Sequence, residues 1–149
     1  MRGHRLSWRM SHNPHRLQVV QRAFVLSVDV HRMADRHQPA IARLSPGMRN
    51  QLLRAVNSIA LNLAEGAGHQ SPGKTATFCA IAIGSCNEVE LQLRLARALG
   101  AIPSEYDPLI DEVIEVRKMT YGFRKRVLSA QDTAALPPPE PPDFSPRER

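Results

Sequence analysis

A chain of 149 residues, 42% of them hydrophobic and 23% charged, supplies enough apolar side chains for one core and not for two, so it reads as a single folded domain. No apolar run approaches the roughly 20 residues of a membrane helix, and the basic start is not followed by the apolar segment of a secretory signal; a cytoplasmic protein without a membrane span is expected. The net charge of +6 is unevenly spread, with four arginines and no acid in residues 1–16, 14 Lys and Arg against 11 Asp and Glu in residues 17–136, and two against three in residues 137–149, so charge alone does not identify a nucleic-acid partner.

Residues 1–16 are polar and basic and read as a flexible arm. From Leu17 to about His37, Val20, Phe24 and Val28, with Leu17, Ala23, Val30 and Met33 beside them, recur at helical spacing and predict a first helix. His37 to Leu44 is read as a connection, and Ser45 followed by Pro46 as the cap and first residue of a second helix. Leu52, Val56, Ile59 and Leu63 form that helix's apolar seam, and Gly66 and Gly68 are its stop signals. Ser71-Pro72 repeats the start signal. The third helix buries Phe78, Ala82, Ser85, Val89, Leu93 and Ala96 and ends at Gly100. A second apolar strip, Ala80, Ile83, Gly84, Leu91 and Leu95, runs along its other side and predicts either a central helix or a subunit interface. Pro103, Ser104 and Glu105 open a fourth helix, with Leu109, Ile110, Val113, Thr120, Phe123 and Val127 inward, to about Ser129. The expected fold is all-α, an antiparallel up-down four-helix bundle over residues 17–130, with a proline-rich, disordered tail over 131–149.

Gly68 to Thr75, GHQSPGKT, matches the phosphate-binding loop G-x-x-x-x-G-K-[ST] at every fixed position, with Lys74 for terminal phosphates and Thr75 for magnesium. Phe24 to Asp29 resembles the apolar strand and aspartate that accompany such a loop. That chemistry needs a parallel strand feeding the loop, whereas the residues before Gly66 repeat as a helix, so the match is read as accidental. Glu-x-x-His pairs of a di-metal bundle are lacking, and neither a metal nor another cofactor is expected. Cys79 and Cys86, seven positions apart on one helix, stand about 10 Å apart along its axis and are read as buried thiols rather than a disulfide.

Two groups remain as site candidates. Arg117, Lys118, Arg124, Lys125 and Arg126, extended by Arg22, Arg49 and Arg54, form a candidate nucleic-acid-binding patch, with Tyr121 among the charges as a base-stacking side chain; the competing reading places the α-helical cations at the helix's negative end. Asn62, Glu65, Asn87, Glu88 and Glu90 are polar groups near the apolar seams, where they fix register or subunit orientation; a catalytic carboxylate pair is the sharper alternative, and it lacks a companion nucleophile.

The run SIALNLAEGAGHQS, Ser58 to Ser71, followed by FCAIAIGSCNEVELQLRLARALG, Phe78 to Gly100, resembles the four-helix-bundle proteins encoded in intervening sequences of 23S ribosomal RNA genes. The matching features are Asn62 to Gly66, Ser71, Phe78 and Gly84 to Glu90, without a gap; Val20 stands where that family commonly has a tryptophan, and the likeness covers about residues 17–128. The resemblance implies a non-enzymatic homopentamer, in keeping with the two-sided third helix. The opening Val19 to Ala23 is also similar to the Avd accessory proteins of diversity-generating retroelements, which implies RNA or DNA and a reverse transcriptase as further partners.

Overall fold

The computed structural model describes residues 14–135, with side chains from residue 18 to residue 130. The arm before residue 14 and the tail from residue 136 lie outside the described residues. Within them the chain is all-α: α1 Pro14–Arg36, α2 Gln38–Leu44, α3 Met48–Gly68, α4 Pro72–Ala98, a 3-10 turn at Ser104–Tyr106, and α5 Asp107–Ala135. The first helix therefore takes in residues 14–16, and the last runs past residue 130.

Four long helices lie side by side, α1 against α3 and α5, and α4 against α3 and α5. Their directions follow from paired side chains. The Thr75 hydroxyl donates to the Gly66 carbonyl (2.9 Å) and Ser85 Oγ donates to Ser58 Oγ (2.9 Å), so α3 and α4 run antiparallel. Arg97 pairs with Asp107 and Arg117 with Glu90, so α4 and α5 do too. His37, just past α1, meets Tyr106 before α5, while Arg22 reaches Met119, and α1 is antiparallel to α5. Leu26, Leu52, Ile59, Leu63, Leu93 and Phe123 are among the fully buried side chains of the common core. Each contributes about 1.5–3 kcal/mol of burial.

The core face of α1 differs from the expected one. Val19, Ala23, Leu26, Val30 and Met33 point inward at alternating steps of four and three, while Phe24 is 63% exposed. An apolar residue adjacent to a seam position lies about 100° round the helix, so this helix carries more apolar surface than one face can bury. The third-helix strip is corrected likewise: Ile83 is buried, and Ile81 is the isoleucine that faces out.

The chain between α1 and α3 is not a plain connection. It folds into α2, with Pro39 in the first turn, where a missing N–H costs nothing, and Ile41 buried. Ser45-Pro46 does not cap a helix. The Met48 N–H donates to the Ser45 carbonyl (3.1 Å) and Gly47 takes φ +87°, the geometry of a type II turn with Pro and Gly at its centre. Gly66 does not stop α3; it lets α4 approach, because a Cβ there would sit 3.0 Å from Phe78 Cβ. Gly100 does end its helix as expected: at φ +75° it allows the Ala101 N–H to reach the Ala96 carbonyl (2.8 Å) and its own N–H to reach Arg97 (3.2 Å).

Candidate functional site

The formal phosphate-loop match dissolves in the fold. Gly68 is the last residue of α3, three residues follow, and Pro72 opens α4; no strand is present among the described residues. Ser71 Oγ accepts from the Lys74 N–H (3.4 Å) as a helix cap. Thr75 is buried, and its hydroxyl is bonded to the Gly66 carbonyl rather than open to a metal ion. Lys74 is exposed.

The basic candidates fall into three sets, with Arg124 apart from them. Arg22 and Arg117 are held by carboxylates. Arg22 makes a two-pronged pair with Glu112 (Nε to Oε1 2.8 Å, Nη2 to Oε2 2.7 Å), which joins α1 to α5 and raises the arginine's already high pKa. Arg117 donates to Glu90 Oε2 and to Asn87 Oδ1 (3.1 Å), joining α5 to α4. These two arginines are helix ties. Arg49 and Arg54 stand on α3, which packs chiefly on α1 and α4; Arg49 Nε is buried without a hydrogen-bond partner among the described residues. Lys118, Lys125 and Arg126 form the third set, exposed on α5 with no ion pair among the described residues, and Tyr121 is exposed beside them. Arg124 is half-buried, its Nε likewise unpartnered.

Because α5 continues to Ala135, this cluster lies well before the helix's end and its last turn holds no basic residue. The helix dipole acts over about one turn, so it does not account for these cations. Lys118 and Arg126 line an open groove of about 380 Å³ between α1 and α5, together with Arg22, Glu115 and Met119.

The polar-seam candidates also separate. Asn62 donates to its own helix, at the Ser58 carbonyl (2.8 Å) and Oγ (3.0 Å). Glu65 is exposed, 3.9 Å from His69 Nε2. Asn87 and Glu90 hold Arg117, and Glu90 also takes Arg94 (2.9 Å), so its carboxyl lies below the ordinary glutamate range, chiefly through the Arg117 hydrogen bond. Glu88 is exposed and accepts from Gln92 Nε2 (3.4 Å). Glu88 and Glu90 thus do different things, one facing out and the other clamped by arginines.

The outer side of α4 is the other prominent surface. Ile81, Leu91, Leu95 and Leu99 are each 45–62% exposed; from Ile81 through Gly84, Glu88 and Leu91 to Leu95 the steps alternate three and four residues, as in a helix-packing seam, and Leu99 follows four residues on. Leu61 of α3, 68% exposed, is a further apolar side chain in solvent. Sequence periodicity signals a second strip on this helix; Ile81 and Ile83 stand about 200° apart round it, and it is Ile81 that keeps the three- and four-residue spacing of Leu91 and Leu95, while Ile83 lies on the covered side. The Arg22–Glu112 tie had no local signal, since its partners are 90 residues apart.

Cys79 and Cys86 are buried and unbridged, and burial pushes the Cys86 thiol up to about 12. Among the described residues no three His, Cys, Asp or Glu side chains gather as a metal site, and no helix is long and apolar enough to cross a membrane.

Residues 15–122 match the 23S rRNA-intervening sequence protein family, and the chain belongs to it. No curated protein matches the chain. A crystal structure of a protein of unknown function from the S23 ribosomal protein family of Bacteroides thetaiotaomicron is similar in fold, with a TM-score of 0.62 and 24% identity over 72% of this chain and 98% of that one.

Proposed function

From its membership of the 23S rRNA-intervening sequence family and the open apolar side of α4, we propose that this chain is a non-catalytic building block: an antiparallel four-helix bundle that assembles as a homopentamer and binds structured RNA or another polyanion. The observation that carries the assembly is the seam of Ile81, Leu91, Leu95 and Leu99, apolar surface of the kind that marks an interface when it is contiguous. A helix with one seam in its own core and a second seam outside is suited to pack against another copy. The polyanion reading is supported by Lys118, Lys125 and Arg126, which face solvent without carboxylate partners among the described residues and flank Tyr121.

Light scattering coupled to size exclusion tests the assembly. The protein should elute as a pentamer, and Leu91→Glu with Leu95→Glu should elute as a helical monomer; a monomeric unmodified protein refutes the proposal. Fluorescence anisotropy with a structured ribosomal RNA fragment across a salt series tests the second part. Changing Lys118, Lys125 and Arg126 to alanine should flatten the logarithmic salt slope by about 0.7–0.9 for each phosphate that is no longer neutralised. An unchanged slope removes the α5 surface as the site.

A further inference from the structure

The groove between α1 and α5 has a composition that a plain phosphate site does not need. Two of its cations, Lys118 and Arg126, have no partner among the described residues, while Arg22 is fixed by Glu112. Glu115 faces the same groove with no hydrogen bond or ion pair of its own among those residues, within the field of Arg22. A purely anionic ligand would be opposed by Glu115. A ligand that brings an anion to Lys118 and Arg126 and hydrogen-bond donors to Glu115 satisfies all three, because an ionised carboxylate only accepts.

The floor of the groove adds a requirement of shape. Gly122 lies in the interior of α5, where glycine costs about 0.8–1 kcal/mol against alanine. Core packing does not require it: an added Cβ would meet only the Arg126 guanidinium, at an ordinary 3.6 Å. The Arg126 guanidinium lies over this glycine; when that long side chain turns to a phosphate, the missing Cβ leaves a strip of backbone beside Met119, whose sulfur accepts from Arg22 Nη1 (3.4 Å), a surface on which a flat ring can lie. The volume of about 380 Å³ falls within the range of small-ligand sites.

We propose that the α1/α5 groove binds an unpaired guanine nucleotide, with its phosphate on Lys118 and Arg126, its base over Met119 and Gly122, and its amino-imino edge on Glu115. Guanine fits because N1–H and the exocyclic N2–H present two adjacent donors to the two carboxylate oxygens. Adenine and cytosine place one donor beside an acceptor, and uracil places its N3–H between two acceptors. Gln18, at the same groove, supplies an amide donor for a purine carbonyl. Unpaired bases read on their Watson–Crick edge are the usual route to sequence recognition in RNA. The inference rests on the polyanion reading and narrows it from a charged surface to a base-reading site.

Titration calorimetry on the full chain with GMP, AMP and inorganic phosphate tests it. GMP should bind at least about tenfold tighter than AMP, the discrimination expected of a two-bond base contact. Glu115→Gln should bring GMP to the AMP level without weakening phosphate. Gly122→Val keeps every charge and replaces a poor helix former, so it should remain folded by circular dichroism yet lose GMP. Equal affinity for GMP and AMP, or a GMP preference that survives Glu115→Gln, overturns the inference. If GMP does not bind while RNA binds with a steep salt slope, the groove is refuted and the polyanion reading stands. If GMP binds selectively and RNA does not, the site holds a free nucleotide and the polyanion reading is the part that fails.

Discussion

Gly66→Ala tests the crossing that holds α3 against α4. The added methyl would lie 3.0 Å from Phe78 Cβ and 3.4 Å from the Thr75 carbonyl oxygen. Carbon atoms in contact prefer about 3.5–4.0 Å, and Phe78 Cβ is the root of its side chain, so rotation of the ring gives no relief and the helices must part by roughly 0.5–1 Å. Such overpacking costs about 1–3 kcal/mol. Parting the helices also stretches the 2.9 Å Thr75–Gly66 hydrogen bond, an interaction worth about 0.5–1.5 kcal/mol. Against this, alanine recovers about 1 kcal/mol of helix propensity. The balance is a loss of about 1–3 kcal/mol, or roughly 3–10 °C in Tm for a domain of this size. Urea and thermal melts followed by far-UV circular dichroism, at one fixed protein concentration, measure it. Gly73→Ala is the control: it has no neighbour within 4 Å of its Cβ position and should hold or gain stability. If Gly66→Ala melts with or above the unmodified protein, the two helices do not meet at Gly66 as closely as a 3.0 Å approach implies.

Thr75→Val keeps the shape of the side chain and deletes its hydroxyl, and should lower stability by about 1 kcal/mol in urea melts with no change in nucleotide affinity; loss of ATP binding at unchanged stability would restore the phosphate-loop reading. Glu90 has a lowered folded pKa, so its contribution is present above the ordinary glutamate pKa near 4.5 and is lost as pH falls through the folded value. Glu90→Gln should cost about 1–2 kcal/mol at neutral pH and remove that part of the acid dependence, which denaturant melts across the acid range would show. Cys86, buried and shifted to about 12, should resist iodoacetamide in the folded protein and react once urea unfolds it; rapid native alkylation would contradict its burial.

Much of the fold was legible because helical periodicity is a local property. Leu52, Val56, Ile59 and Leu63 define their buried face by spacing alone, as do Val89, Leu93 and Ala96, and Gly100 marks the end of α4 because an αL cap needs glycine. The candidate site was legible only as a cluster of charge. Spacing along α5 placed Lys118, Lys125 and Arg126 on one helix, but it could not say that Arg22 and Arg117 would be taken by Glu112 and Glu90 from other helices.

The tripeptide Ser-Pro-Gly shows most directly where local information ends. At Ser45 to Gly47 it forms a type II turn, and at Ser71 to Gly73 it caps and opens α4. Identical residues have identical propensities, so the surroundings make the choice. After the second copy Thr75 is bonded to Gly66 and Phe78 is packed beside it, which holds the chain in the helix that crosses α3. After the first copy no such clasp exists among the described residues, and Gly47 takes the left-handed conformation that turns the chain into Met48. The amino-acid order by itself thus determined the four long helices and most of their inward faces, through propensity and spacing, but not the short α2. Only tertiary packing decided the role of each Ser-Pro-Gly, the face of α1 that is buried and which cations are paired with carboxylates among the described residues, because each depends on interactions between residues far apart in the chain.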